Sequence, residues 1–172
     1  MQVVVFANQK DGSVEILGKA LFKLLDRRYF VFTRDPSNYP VCPIEKTMSK
    51  IREIAAHTEE DRFIVSFGCR IFPNNIKSIE EAALKTKGNI VLLKKLRGSK
   101  TWHEVNGVLT FENERIADCG IFILSKKDIL GTTHLNFNTY IRYLLSKNNL
   151  TAEYVDFWLF SNSQKNYNPG RK

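Results

Sequence analysis

The sequence predicts an α/β fold: a mixed, mostly parallel sheet flanked by helices, with an antiparallel element in the second half. Three observations carry this. Arg62 to Phe72 (RFIVSFGCRIF) is a near-continuous apolar, β-rich run broken by Gly68, the pattern of a strand buried on both faces rather than one. Two further runs of this kind, Gln2 to Ala7 and Asn89 to Leu96, are separated by segments whose apolar residues recur at helical spacing. Finally, Val108 to Phe111 and Ile116 to Leu124 follow one another too closely for a helical crossover and read as antiparallel. In mainly parallel sheets ligands gather at the carboxyl ends of the strands, so Gly68 and Cys69 mark the first place to look for function.

Taken in order, the β-branched run Gln2 to Ala7 reads as the first buried strand, which puts the polar loop Asn8 to Ser13 at the ligand edge. Leu17, Leu21, Leu24 and Leu25 predict a helical turn over residues 18–25 with Lys19 and Lys23 on its wetter side. Tyr29 to Thr33 is a second strand, and Asp35 to Pro40 an irregular loop because proline restricts its neighbour and donates no hydrogen bond. Pro43 opens a helix carrying Met48, Ile51, Ile54 and Ala55 on one face. Pro73-Asn74-Asn75 reads as a turn, Ser78 to Glu81 has the spacing of a capping box, and Gly88 is placed to close that helix. With Asn89 to Leu96 this makes a βαβ unit, whose crossover is expected to be right-handed. Gly98-Ser99-Lys100 breaks the pattern, and Glu112 to Arg115 is short enough to join the next two strands as a hairpin. Ser125 starts a short helix, and Phe137, Tyr140, Ile141, Leu144 and Leu145 mark a longer one ending near Asn148. Ala152 to Phe160 reads as the last strand. The expected organisation is one domain over 1–160 and a loosely ordered tail over 161–172.

At 172 residues, 43% hydrophobic and 26% charged, the composition suits one globular core rather than a disordered chain. Its apolar stretches fall short of the roughly 20 residues of a membrane span, and no signal peptide is read at Met1, so a cytoplasmic protein is expected. Cys42, Cys69 and Cys119 form no CxxC pair and are expected to be reduced and buried. The net charge of +8 favours anionic partners without choosing among them.

Neither GxxxxGK[ST] nor GxGxxG occurs, and no Cys/His cluster has zinc-ligand spacing. His57, His103 and His134 are scattered. Lys94 to Lys100 with Trp102 and His103 is basic with aromatic neighbours, as nucleic-acid surfaces are, but a solvated loop is the plainer reading. Lys126 and Lys127 at a helix start make that amide end cationic.

In order and spacing the chain resembles the nucleotidyltransferases that make nucleoside-diphosphate sugars, a GT-A/Rossmann-like α/β family. Val3 to Ala7 with Asn8 to Ser13 is similar to that family's first strand and LAGGxGTR loop, and Gly18-Lys19-Ala20-Leu21 to its PKPL or DKAL segment. Phe63 to Phe72 is similar to its "vvnGDiif" strand, Asn106 to Phe111 to "yGvv", Ala117 to Leu124 to "naGiYvf", and Asp156 to Phe160 to "gfWlDiGT". The resemblance implies a nucleotide or nucleotide-sugar ligand held by Ala7, Asn8, Gln9, Gly12, Ser13, Lys19, Gly68 and Cys69.

The departures bear on activity. Where the resemblance implies the two magnesium-binding aspartates, this chain has Cys69 and Phe160; a neutral thiol is a poor ligand for a hard cation and a phenyl ring is none. Asn8 and Gln9 replace loop glycines, and no counterpart of the family's EKP segment lies between Phe111 and Ile121. Two readings follow. One is a degenerate relative that binds a nucleotide or a partner protein without ordinary Mg²⁺ catalysis. The other is a divergent nucleotidyltransferase or glycosyltransferase using Lys19, Asp118 and Asp156, with Mg²⁺ only if other carboxylates replace the missing pair. Nucleic-acid binding is a distant third.

Overall fold

The computed structural model describes residues 1–7, 29–34, 39–68, 73–95, 100–105, 108–113 and 116–155, with the backbone alone for 73–74, 95, 100–105, 108–113 and 116–118. The strands are β1 (Gln2–Ala7), β2 (Tyr29–Thr33), β3 (Arg62–Phe67), β4 (Ile90–Lys95), β5 (Lys100–Val105), β6 (Val108–Asn113), β7 (Ile116–Ser125) and β8 (Thr151–Tyr154). The helices are α1 (Thr47–Ala56, entered through a 3-10 turn at Ile44–Lys46), α2 (Pro73–Lys85), α3 (Lys126–Gly131) and α4 (Phe137–Ser146).

Six strands form one sheet in the order β2-β1-β3-β7-β4-β8, and β5 and β6 form a separate two-stranded sheet. Only β7 in the larger sheet runs against its neighbours β3 and β4; the β1–β2, β1–β3 and β4–β8 pairs are parallel. The alternation of β1 explains how one strand serves two cores. Val4 and Phe6 pack with Met48, Ile51, Ile129, Tyr140 and Leu144 of α1, α3 and α4 on one face. Val3, Val5 and Ala7 pack with Ile79, Ala82 and Ala83 of α2 on the other. Every residue of β1 is buried, as its unbroken apolar character requires.

Several expectations need correction. Ser78 does not cap a helix: α2 already begins at Pro73, because a first-turn proline lacks only an N–H that would have no intrahelical partner. The segment after it ends α2 at Lys85, and Gly88, with φ of 98°, lies beyond the helix rather than at its first exit residue. β3 and β4 are parallel, as a βαβ unit demands, but β7 lies between them. The hairpin joins β5 to β6, in the register Trp102↔Phe111, and not β6 to β7. Lys94 to Lys100 is not one basic loop, since β4 reaches Lys95 and β5 begins at Lys100. The last strand is Thr151–Tyr154, and the rest of that expected strand, from residue 156, lies outside the described residues with the tail and the turn over 18–25.

Two side chains tie the elements together. Asn89, 2% exposed just before β4, donates to Asp128 Oδ2 at 2.7 Å and to the Asn149 carbonyl at 3.3 Å, and accepts from Ser125 N–H at 2.9 Å. Ser125 caps α3 by accepting from Asp128 N–H. Arg62 at the start of β3 donates to the carbonyls of Ala83, Thr86 (3.1 Å) and Gly88 (2.8 Å), closing the carboxyl end of α2. Tyr140 is fully buried with its hydroxyl unpartnered, and burial pushes its pKa up. Tyr140→Phe removes that orphan donor without opening a cavity, so urea denaturation is expected to show unchanged stability or a gain of up to about 1 kcal/mol. A loss beyond about 1 kcal/mol would reveal a bond to that hydroxyl.

Candidate functional site

Parallel strands end together, and here β1, β2 and β3 do so with Ala7 opposite Thr33 and Phe6 opposite Phe67. The chain leaves β3 through Gly68, whose φ of 78° lies in the left-handed region that side chains disfavour. Gly68 N–H donates to the Phe6 carbonyl at 2.8 Å, so the exits of β1 and β3 are fastened together. Across β2, Thr33 N–H donates to the Pro40 carbonyl at 3.0 Å and Cys42 N–H to the Thr33 carbonyl at 2.9 Å, folding the segment before α1 over the same edge.

The result is a cleft of about 160 Å³ lined by Phe6, Ala7, Thr33, Cys42, Phe67 and Gly68 among others. Its floor is aromatic: Phe6 stacks on Phe32 and on Phe67 at centroid distances of 5.6 and 5.2 Å, and Phe67 meets Phe137 at 4.6 Å. Thr47, also in the lining, is fully occupied in holding the wall, donating to the Ile44 carbonyl at 2.9 Å and accepting from Phe137 N–H at 3.1 Å. Burial pushes the Cys42 thiol pKa up, outweighing Lys50, so Cys42 lines the wall as a neutral group and not as a nucleophile. Arg34, exposed, supplies positive charge at the rim. An apolar floor with a cationic rim suits a ligand with a flat apolar part and an anionic part.

Of the residues the sequence singled out, Ala7 and Gly68 come together in this cleft. Asp118 is in register with Leu93 near the carboxyl end of β4, three residues past the last β3–β7 pair, Ser66↔Ile121. That offset passes through Gly120 (φ 66°), where β7 advances four positions, from Phe122 to Asp118, while β4 advances two, from Val91 to Leu93. Asn8, Gln9, Gly12, Ser13, Lys19, Cys69, Asp156 and Phe160 lie outside the described residues. Asn8 and Cys69 are the next residues after Ala7 and Gly68, and Asp156 follows Val155, whose N–H donates to the Leu93 carbonyl at 2.8 Å. Two of the three histidines are engaged locally: His57 Nδ1 meets the Glu53 carbonyl at 2.8 Å and His134 Nδ1 meets Thr132 Oγ1 at 2.9 Å.

Sequence reasoning missed the contribution of β2, namely Phe32, Thr33 and Arg34, and of Cys42 and Thr47. The available signal was position: Thr33 ends a parallel strand, where ligand clefts form.

The chain matches no protein-family model and no curated protein. Its architecture is nonetheless shared with solved structures. A protein of Bacillus anthracis described as a glucose-1-phosphate thymidylyltransferase superposes with a TM-score of 0.64 at 13% identity, over 92% of this chain and 88% of that one. HddC of Yersinia pseudotuberculosis gives 0.65 at 16%, over 91% of both. A CMP:2-keto-3-deoxy-manno-octonic acid synthetase complexed with CTP gives 0.61 at 12%, over 89% and 88%. Likeness at this identity establishes the fold. Among the described residues no helix is long and apolar enough to cross a membrane.

Proposed function

We propose that this chain binds a nucleotide or nucleotide-sugar at the carboxyl ends of β1 to β3 and does so without ordinary Mg²⁺-dependent nucleotidyl transfer. The observation that carries the reading is the cleft itself, built where β1 and β3 exit side by side and are locked by the Gly68–Phe6 hydrogen bond. The net charge of +8 and the exposed Arg34 suit a phosphate-bearing ligand. The donor set argues against magnesium: a thiol and a phenyl group, Cys69 and Phe160, occupy the positions that the resemblance gives to metal carboxylates. Asn8, Gln9, Gly12, Ser13 and Cys69 complete the ligand's surroundings in this reading, and Lys19 supplies the main phosphate contact.

A thermal-unfolding panel of nucleoside triphosphates and nucleotide sugars, with and without Mg²⁺, tests it. A ligand at a hundredfold excess over its Kd stabilises by about 2.7 kcal/mol, which is readily seen. Stabilisation independent of metal is expected, and its absence with every ligand would overturn the proposal. Lys19→Ala is expected to weaken triphosphate binding about tenfold or more, as loss of a charge-assisted contact does. Unchanged affinity would remove Lys19 from the site.

One observation favours the active alternative: the register places the Asp118 backbone at the same edge as the cleft. Stabilisation that requires Mg²⁺ and disappears in Asp118→Asn combined with Asp156→Asn would replace the silent reading with a divergent transferase.

A further inference from the structure

The opposite edge of the sheet, where the parallel strands begin, is divided by charge. On the β2-β1-β3 side a cavity of about 1030 Å³ is lined by Glu53, Glu59, Glu60, Asp61 and His57, with the half-exposed ring of Phe30 in its wall. On the β3-β7-β4 side a cavity of about 550 Å³ is lined by Lys87, Lys126 and Lys127, with half-exposed Leu130 beside them. Asp61 and Arg62 at the start of β3 belong to both and mark the middle. The separation follows from the topology: the acidic residues come from the end of α1 and the loop into β3, the basic ones from the loop before β4 and the start of α3.

Internal pairing leaves much of this charge outward. Glu60 meets the Met1 amino group and Glu53 meets Lys50, while Lys126 donates to the Thr58 carbonyl and Lys127 lies in the field of Asp128. Glu59, Asp61, Lys87 and Lys127 are exposed and form no salt bridge among the described residues. Arg62 cannot neutralise the acidic side fully, since its guanidinium is committed to the carbonyls closing α2.

We infer that this edge is a self-complementary interface through which two copies of the chain associate about a two-fold axis near the start of β3. A rotation about that axis lays the acidic half of one copy on the basic half of the other, twice over, and brings Phe30 toward the partner copy's Leu130, which is the property an isologous interface needs. Six strands at about 4.8 Å spacing make an edge roughly 24 Å wide, and the sheet with a helix layer of about 10 Å on each face makes it roughly 30 Å deep, so the edge offers on the order of 700 Å², close to the ~800 Å² per partner of a standard interface. A partner with one sign of charge would match one half and be repelled by the other; a second copy matches both. The association leaves the cleft at the carboxyl edge open, and it does not depend on what that cleft binds.

Light scattering on the full chain, coupled to size exclusion at low salt, tests this. Twice the chain mass is expected, with the dissociation constant rising about tenfold or more as salt goes from 50 to 500 mM. Lys87→Glu with Lys127→Glu, and separately Glu59→Lys with Glu60→Lys, each sets like charges against one another across the two-fold axis and is expected to run as a monomer. Mixed in equal amounts, the two variants restore both contacts and are expected to form a heterodimer, which also shows that both are folded. A wild-type monomer at 100 µM and low salt would overturn the inference, as would a dimer indifferent to both reversals or variants that stay monomeric when mixed.

Discussion

Replacing Asn89 by alanine lowers the unfolding free energy by about 3 kcal/mol, since one buried side chain satisfies three groups and its loss strands at least the Ser125 N–H and the Asn149 carbonyl. The size of the effect comes from where those groups sit: the start of β4, the end of β7 with the cap of α3, and the loop between α4 and β8. Asn89→Asp is no milder, because it exchanges a donor for a second carboxylate beside Asp128. Urea denaturation checks both variants, and a loss under about 1 kcal/mol for Asn89→Ala would mean that water replaces the amide.

The same network has a pH signature. Burial opposes ionisation of Asp128, but hydrogen bonds from Ser125, Asn89 and Asn149, with the charge of Lys127, outweigh it and hold the carboxyl below its usual range. Glu153 is also lowered: burial acts against it, and Thr86 and Lys85 act for it, the latter at 2.9 Å. With folded values below the unfolded ones, both contribute stability that is complete above about pH 5 and is lost as pH falls through the folded pKa values. Asp128→Asn is therefore expected to flatten the acid limb of a stability profile while lowering stability near neutrality.

Phe67→Ala is the second large effect, with an expected loss of about 3 kcal/mol from an aromatic side chain that is only partly shielded. Phe67 joins the cleft floor to the core, touching Phe6, Phe122 and Phe137. Truncation both opens the cleft and loosens β3 against α4, so under the proposed reading ligand affinity and stability are expected to fall together. Phe67→Leu keeps most of the volume and is expected to cost under about 1.5 kcal/mol. If leucine restores stability without restoring affinity, the ring is a ligand contact; if both return, its part is packing alone.

How far the chain could be read in advance follows from the kind of information each feature needs. β1, β2 and the core of β3 were legible because strands buried on both faces are continuous apolar runs, and α1 and α4 because Met48, Ile51, Ile54 and Ala55, or Phe137, Tyr140, Ile141 and Leu144, recur with the helical period. The short helix α3 was legible from Ser125, whose side chain does accept from Asp128 N–H. Ala7 and Gly68 were legible as cleft-lining residues because strand ends in a parallel sheet are predictable places for clefts.

What remained is non-local. Nothing in Val108 to Ser125 says that β6 turns back to β5 while β7 inserts between β3 and β4, because a strand's pattern records how deeply it is buried and not which strand lies beside it. Lys100 to Val105 is polar at every position but Trp102 and Val105, lacks the alternation of a half-buried strand and follows a lysine-rich stretch, so its pairing with β6 was hidden in a segment that read as a loop. The contribution of Thr33 and Cys42 to the cleft, and the separation of acidic from basic residues along the opposite edge, depend on the order of the strands. By itself the sequence determined which segments are buried and with what period; the tertiary structure decided which of them are neighbours, because pairing energy is realised only between residues far apart in the chain.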